Sequence, residues 1–202
     1  GMKKNCSLIF LLAFLSSCIN LYAQAPDWSW ANSIGGSGSD FGRTIALDSS
    51  GNSYVVGEFK SQVDFDPDAG IFNLDAQGIQ DAFIAKYDYS GHLLWAKQLA
   101  GINGISAINA FAIVLDKNEN IVITGKFSGS IDFDPEAAVF PLTSQGQGDI
   151  FICKLSSFGN FIWAHSIGGS GDDCAYSVVI DEFNEVLFTG YFSANVDFDP
   201  GL

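Results

Sequence analysis

Short apolar runs alternate with polar turns along most of this chain. Runs rich in Val, Ile, Phe, Tyr and Trp, bounded by Gly, Asn, Asp and Ser, are typical of antiparallel strands. The first set of runs covers residues 44–48, 53–59, 81–88 and 93–99, and the second covers 112–116, 121–127, 149–155 and 161–166. No segment has a convincing helical period. The pattern therefore predicts an all-β fold.

The two sets of strands are copies of one repeat. Trp-Ala pairs begin at Trp30, Trp95 and Trp163, with spacings of 65 and 68 residues. The tetrapeptide Asp-Phe-Asp-Pro begins at residues 64, 132 and 197, with spacings of 68 and 65. One three-residue insertion, around residues 102–108, explains the difference, and insertions belong in loops. The repeats are predicted at about residues 28–95, 96–163 and 164–202.

Five-residue turns join neighbouring strands within each repeat. Gly stands fourth in the turns at residues 48–52, 88–92 and 156–160, where it supplies the positive φ of a hairpin with a bulge. Asn184 fills this position in the third repeat. Glu119 fits the position poorly, which predicts that its turn shifts by one residue.

Four antiparallel strands repeated at about 65 residues describe blades of the β-propeller type. With the strands of a blade called A to D, the chain contains a lone D strand at residues 28–33, two complete sets, and strands A and B of a third. The fold class is thus an incomplete propeller of about two and a half four-stranded antiparallel blades. Either the chain is a fragment, or the unfinished blade drives self-association, with the strand at residues 28–33 completing a partner's last blade.

The N-terminus has the pattern of a secretory signal. Lys3 and Lys4 precede an apolar run at residues 7–19 and a small residue, Ala23. We interpret residues 1–23 as a signal peptide, with Gly1 as a cloning scar, and residues 24–202 as the repeat domain. The alternative is a lipobox ending at Cys18, which would make an outer-membrane lipoprotein whose acyl chains are its only contact with the membrane. Both interpretations predict a secreted or cell-surface protein.

Composition narrows the class of partner. The chain is 48% hydrophobic and only 16% charged, which excludes a disordered protein, and its net charge of −14 argues against nucleic-acid binding. The negative charge is compatible with binding of divalent cations or basic partners. Once the N-terminal segment is removed or lipidated, Cys153 and Cys174 remain as buried small hydrophobes or as a disulfide.

Several motifs together resemble the bacterial β-propeller repeat family called SBBP. They are IGGSGSD at residues 34–40, DSSGN at 48–52, YVVG at 54–57, VDFDP at 63–67 and DAFIAK at 81–86. The resemblance covers essentially everything after residue 27. It implies a secreted or cell-surface propeller, often part of a larger protein, and no established enzymatic activity.

The Asp-Phe-Asp-Pro segments are the candidate metal sites. Acids at alternate positions of an extended chain project to one side, and Ca²⁺ prefers several carboxylate oxygens. The candidate ligands are Asp64, Asp66, Asp68, Asp132, Asp134, Glu136, Asp197 and Asp199. In the alternative interpretation these acids cap turns, and Phe65, Phe133 and Phe198 point the opposite way into the core.

Nothing in the sequence singles out a catalytic centre. His92 and His165 stand at positions that other residues occupy in the other repeats, and the glycine-rich segments at 35–40 and 168–173 suit connections between blades. The three Trp-Ala tryptophans are interpreted as packing anchors. The leading hypothesis is a non-catalytic module that binds an extracellular protein or glycan. The alternative is a Ca²⁺-dependent structural module, and a glycan-active hydrolase comes third.

Overall fold

A computed structural model describes residues 30–198, and the described chain is all-β. It contains no helix that is long and apolar enough to cross a membrane. Its strands are β1 (Gly35–Gly36), β2 (Phe41–Leu47), β3 (Ser53–Phe59), β4 (Gln62–Asp64), β5 (Asn73–Asp75), β6 (Asp81–Tyr87), β7 (Leu93–Gly101), β8 (Ala107–Leu115), β9 (Ile121–Ser128), β10 (Ser130–Asp132), β11 (Pro141–Thr143), β12 (Asp149–Leu155), β13 (Phe161–Ile167), β14 (Cys174–Ile180) and β15 (Val186–Tyr191).

The predicted four-stranded blades are confirmed. Blade 1 consists of β2, β3, β6 and β7 and blade 2 of β8, β9, β12 and β13, each an antiparallel meander, while β14 and β15 begin blade 3. Strand A of each complete blade starts earlier than predicted, at Phe41 and Ala107. A bulge breaks the register between Gly42 and Thr44 and again between Ala110 and Ala112. Because a bulge interrupts the alternation of apolar and polar residues, the pattern revealed only the part of the strand that follows it.

Short hairpins between strands B and C were not predicted. We call residues 62–75 and 130–143 the B–C hairpins; they contain β4–β5 and β10–β11. Each hairpin pairs with the segment of chain that comes just before strand A of its own blade, through Gly36 with Val63 and Gly101 with Ile131, and a bridge from Gly169 to Val196 repeats the contact. Because Gly101 is the last residue of β7, the second hairpin joins blade 2 to blade 1.

Apolar side chains pack between neighbouring blades. We call the side of a blade that faces the preceding repeat its back face and the opposite side its front face. In the largest core cluster, the front face of blade 1 meets the back face of blade 2. The front face contributes Tyr54, Val56, Ala82 and Ile84, and the back face contributes Ile113, Ile123, Ile131, Phe133, Phe151 and Leu155. A further cluster joins blade 2 to β14 and β15 in the same way.

Two local expectations are wrong. Residues 28 and 29 lie outside the described part of the chain, and residues 30–33, predicted as a D strand, form no strand. Trp30 Nε1 instead donates to the carbonyl of Tyr89 at 3.0 Å, because no strand C lies beside this segment among the described residues. The turn at Glu119 does not shift: Glu119 adopts a φ of 61° and the turn keeps the register of its counterpart.

The cysteines and two of the three Trp-Ala tryptophans fit the simpler interpretations, whereas Trp30 is 40% exposed and belongs to no core cluster of the described chain. Cys153 and Cys174 are buried and unbridged. Trp95 is partly buried and packs edge-on against Tyr54, with ring centroids 6.0 Å apart, and Trp163 packs against the next core cluster. The predicted signal peptide and Cys18 lie outside the described residues.

Candidate functional site

The carboxylates of the B–C hairpins hold backbone amides. Asp64 Oδ1 accepts hydrogen bonds from the amides of Asp66 and Phe72 at 3.1 and 2.8 Å. Asp132 Oδ1 makes the same pair of contacts, with Asp134 at 3.0 Å and Phe140 at 2.8 Å. Both repeats thus close the hairpin tip in the same way, because an aspartate oxygen can satisfy amides that have no partner strand.

The middle acids and the phenylalanines also make equivalent contacts in the two B–C hairpins. Asp66 and Asp134 each accept from the amide two residues further on, at 2.9 Å. Phe65 and Phe133 are fully buried and pack against aromatic rings of their own blades. The contacts expected of a turn-capping, core-anchored loop are therefore present in both copies.

The third acid of each segment makes a different contact in each repeat. Asp68 lies 2.7 Å from His92 Nδ1, and this hydrogen bond, reinforced by the charge of Asp68, raises the pKa of the exposed imidazole. Glu136 forms an ion pair with Lys97 on β7 of the preceding blade. These two pairs lie on the surface, where ion pairs contribute little to stability.

The calcium site stays a prediction. Within residues 30–198, no three His, Cys, Asp or Glu side chains are grouped so that they could hold a metal ion. Asp197 is exposed and has an interaction partner, whereas Asp199 lies outside the described residues. Asp64 and Asp132, the first acids of their segments, already accept two amide hydrogen bonds each.

A second set of residues lies where the three A strands meet. β2 and β8 are edge strands of their sheets, and β8 contacts both β2 and β14. The bulge recurs in all three strands, and the bulged residues are Arg43, Phe111 and Tyr176. We call these residues, with their neighbours Phe41, Glu58, Lys126, Asp172 and Tyr191, the inner-edge row.

Aromatic and cationic groups of the inner-edge row stack from blade to blade. The Arg43 guanidinium lies 4.9 Å from the ring centroid of Phe41 and 5.4 Å from that of Phe111. The Phe111 ring lies 5.5 Å from Tyr176, which lies 5.8 Å from Tyr191. Cation–π and tilted aromatic contacts at these separations are attractive. The row is therefore a continuous surface built from all three repeats.

Charged groups at both ends of the row are paired. Arg43 Nε donates to both carboxylate oxygens of the buried Glu58, at 2.8 and 3.0 Å. At the other end, hydrogen bonds from Lys126 and from the Tyr191 hydroxyl hold the pKa of Asp172 below its usual range. The Tyr191 hydroxyl donates to Asp172 Oδ2 at 2.6 Å, and this hydrogen bond raises the pKa of Tyr191.

The inner-edge row combines invariant backbone positions with variable side chains. Gly57, Gly125 and Gly190 stand at one position, where an added Cβ would lie 1.8 to 1.9 Å from a carbonyl oxygen of strand A. Only glycine allows this close approach. The adjacent position carries a different residue in each repeat: Glu58, Lys126 and Tyr191. The bulged position likewise changes from Arg43 to Phe111 to Tyr176.

Sequence reasoning missed this row, although one signal was available. Variation between the repeats was considered only for His92 and His165, whereas the variable positions of the row are adjacent to glycines that recur in all three repeats. Their side chains come from repeats 65 or more residues apart, and only the packing of the blades brings them together.

Comparison with known proteins agrees with this architecture. Residues 30–58 match the family model described as SBBP, beta-propeller repeat. An uncharacterized WD repeat-containing protein of Acanthamoeba polyphaga mimivirus is 28% identical over 188 aligned residues, which cover 81% of this chain. The chain spans 13% of that relative's length. WD repeats are also four-stranded propeller blades, so both matches support a protein built from propeller-type repeats.

Proposed function

We propose that this chain is a secreted or cell-surface, non-catalytic repeat module that binds a protein or glycan through its inner-edge row. The observation that carries the proposal is the combination of an invariant backbone with side chains that change in every repeat. A repeat that served packing alone would favour the same residue in each copy, as the Asp-Phe-Asp-Pro segments of the B–C hairpins do. Recognition of an asymmetric ligand requires different groups at equivalent positions.

The chemistry of the row suits such a ligand. Phe41, Tyr176 and Tyr191 are exposed aromatic residues, and their rings offer apolar faces to a sugar ring or an apolar side chain. Asp172, Lys126 and Arg43 place acceptors and donors beside those faces. Aromatic residues combined with fixed polar groups are characteristic of binding surfaces.

The surroundings of Cys174 and His92 support a binding role without catalysis. Cys174, next to β14's bulge, is buried, and burial raises the pKa of its thiol, which disfavours the reactive thiolate. The exposed His92 is on a strand C–D turn and pairs with Asp68, away from the inner-edge row. The N-terminal pattern of Lys3, Lys4 and the apolar run supports secretion, with Cys18 as the lipidation site in the alternative.

A screen against immobilised glycans and extracellular proteins tests the proposal. We expect Tyr176→Ser to lose binding to any ligand found, because it removes the ring between Phe111 and Tyr191. The matched control is Tyr89→Ser, since Tyr89 is exposed on the turn between β6 and β7. Ligands that bind wild type and both variants equally would place recognition elsewhere.

A calcium-dependent module is the second candidate, favoured by the recurrence of three acids within each of two hairpin tips. Calorimetry with Ca²⁺ compares wild type with Asp64→Asn plus Asp132→Asn. Asparagine keeps the oxygen that accepts the two amides, so this variant removes charge and leaves the hairpin closed. Heat of binding in wild type that disappears in the variant supports the calcium module, and an absence of heat in wild type refutes it.

A further inference from the structure

Two buried carboxyl groups lie at the connection between blade 2 and blade 3. Asp149 begins β12 and Asp173 directly precedes β14, and both residues are completely buried. The two oxygens of Asp173 accept the amides of Gly169 and Ser193, at 3.0 and 2.8 Å. Asp149 Oδ2 accepts the amide of Gln145 at 3.0 Å, but its Oδ1 has no hydrogen-bond partner among the described residues. A buried, charged oxygen without a donor is costly to the fold.

The connection between blades 1 and 2 shows how the same position is satisfied. Asp81 begins β6 as Asp149 begins β12, and it is equally buried. Its carboxylate accepts four hydrogen bonds of 2.6 to 3.1 Å, from the amides of Gln77, Gly78 and Gly101 and from the side chain of Gln98. Four donors thus hold one carboxylate, as a buried negative charge requires.

Two of these donors are missing from the connection between blades 2 and 3. Ser166 stands at the position of Gln98, and no hydrogen bond joins its shorter side chain to Asp149 in the described chain. The amide of Gly169, the counterpart of Gly101, donates to the second carboxyl group of this connection instead. The carboxyl group at β12 is therefore left with fewer donors than its counterpart at β6.

The second carboxyl group has no counterpart between blades 1 and 2. Asp173 directly precedes β14, whereas Ser106 directly precedes β8, and both are completely buried. Ser106 carries no charge, and its hydroxyl donates to Asn103 Oδ1 at 2.8 Å. Two carboxyl groups enclosed near each other repel when both are charged, so the one with fewer donors gains most from a proton.

The charged groups beside this pair are already partnered. The titratable groups of the surrounding elements are Lys126 of β9, Tyr191 of β15, Cys174 of β14, Asp172 and Asp173. Lys126 forms an ion pair with Asp172, which also accepts the Tyr191 hydroxyl. Burial raises the pKa of the Cys174 thiol, which keeps it neutral. Burial also raises the pKa of Asp149, and the charge of Asp173 raises it further, against the opposing effect of backbone amides.

We infer that the connection between blades 2 and 3 is a pH-sensitive contact, which is most stable when Asp149 carries a proton. A neutral carboxyl group relieves the repulsion and can itself donate a hydrogen bond. Because the pKa of Asp149 is higher in the folded chain than in the unfolded chain, the stabilisation is present at low pH and lost as the pH rises through the folded value. The attachment of β14 and β15 to blade 2 should then weaken. This inference does not rest on the proposed function.

Urea unfolding of the full chain from pH 4 to pH 8 tests the inference. Asp149→Asn should raise the urea midpoint above that of wild type at pH 8, because asparagine is neutral at every pH, and the difference should shrink towards pH 4. The matched control is Asp81→Asn, which turns an amide NH₂ towards existing donors and should lower the midpoint at every pH. At pH 8, hydrogen exchange in β14 and β15 should be slower in Asp149→Asn than in wild type, while β2 and β3 exchange alike.

Infrared difference spectra of wild type and Asp149→Asn detect the proton directly. We expect wild type to show a neutral carboxyl band that is missing from the variant and that persists to a higher pH than the bands of exposed carboxyl groups. Absence of this band, or an Asp149→Asn midpoint below that of wild type at every pH, would overturn the inference. If Asp149→Asn does not fold, Asp173→Ser copies the residue type of the earlier connection. In that variant the band should titrate at lower pH, and an unchanged titration would also overturn the inference.

Discussion

The B–C hairpins and the inner-edge row use repetition in opposite ways. In the hairpins, the first two acids make the same contacts in both complete repeats, down to the 2.8 Å hydrogen bonds that Asp64 and Asp132 accept from their phenylalanine amides. In the inner-edge row, the backbone is repeated while the bulged residue changes from Arg43 to Phe111 to Tyr176. The comparison teaches that residues conserved among the internal copies build the framework, and that the copies diverge where the molecule meets its surroundings.

The burial of the two regions explains the difference. Phe133 lies between blades and is fully buried, so any change leaves a cavity in a close-packed core. Tyr176 is 55% exposed, so many residue types are tolerated at its position. Packing therefore constrains variation in the hairpins and leaves it free at the inner edge.

The largest effect is expected from the hairpin anchor. Phe133→Ala should lower the free energy of unfolding by about 4 kcal/mol, because it removes a buried ring from the interface of blades 1 and 2. Urea unfolding followed by tryptophan fluorescence measures the change. Phe158→Ala, at a 74% exposed turn position, is the control and should shift stability by less than about 0.5 kcal/mol. If Phe133→Ala and Phe158→Ala lowered the free energy of unfolding equally, the distinction between a packed framework and a tolerant surface would be wrong.

A smaller effect is expected from the hairpin cap. Asp132→Ala removes the acceptor of two backbone amides and should cost about 1 to 2 kcal/mol. Asp132→Asn keeps an acceptor oxygen in place, so it should retain most of the wild-type stability in the same urea measurement. If Asn destabilises as much as Ala, the carboxylate charge rather than the amide caps holds the hairpin.

These outcomes bear on how much the sequence predicts. The A–D strands were predicted because runs such as residues 53–59 and 149–155 are continuous and bounded by turns, and the repeats followed from the tryptophan and Asp-Phe-Asp-Pro spacings. The hairpin strands were missed because each is only three residues long, which is too short to show an alternation of apolar and polar positions. The N-terminal parts of β2 and β8 were missed because a bulge breaks their alternation.

The candidate site was predicted less completely, for a related reason. The acids of the hairpins were found because they are close in sequence, and their calcium-binding role remains a prediction. The inner-edge row draws Arg43, Phe111 and Tyr176 from three repeats, and no residue type is shared among them. Only the sheet bulges and the contacts between β2, β8 and β14 bring them together.

The contribution of Asp116 to the free energy of unfolding is similar in size to the effect of Asp132→Ala, and it depends on pH. Burial alone would raise the pKa of Asp116, but hydrogen bonds from Lys154, from the Asn120 side chain and from backbone amides outweigh it and lower the pKa to about 2. Because the pKa of Asp116 is lower in the folded chain than its value of 3.8 in the unfolded chain, ionised Asp116 stabilises the fold at pH values above 3.8. This contribution is lost as the pH falls through about 2. It amounts to about 2 kcal/mol.

Unfolding measured from pH 6 to pH 2 checks this prediction. The difference in stability between wild type and Asp116→Asn should be largest above pH 4 and shrink towards pH 2. The control is Glu182→Gln, which alters an exposed acid on the turn between β14 and β15. Its free energy of unfolding should match that of wild type at every pH. A difference that stays constant with pH would show that the charge of Asp116 is not what stabilises this turn.

The smallest effect on stability is expected at the inner edge. Tyr176→Ser should change the free energy of unfolding by less than about 0.5 kcal/mol, because the side chain is largely exposed and lies beyond the cores. Thermal unfolding measures this. A loss comparable with that of Phe133→Ala would place Tyr176 in the framework and remove the distinction between the two regions.

Hydrogen–deuterium exchange on the free protein and on its complex with a ligand from the screen tests the central claim most directly. The account predicts slower exchange in the complex at residues 41–44, 109–112 and 174–177, where the inner-edge row is built on the bulges of β2, β8 and β14. The B–C hairpins at residues 64–72 and 132–140 should exchange alike in both samples. Protection confined to the hairpins, with the inner edge unchanged, would contradict the account.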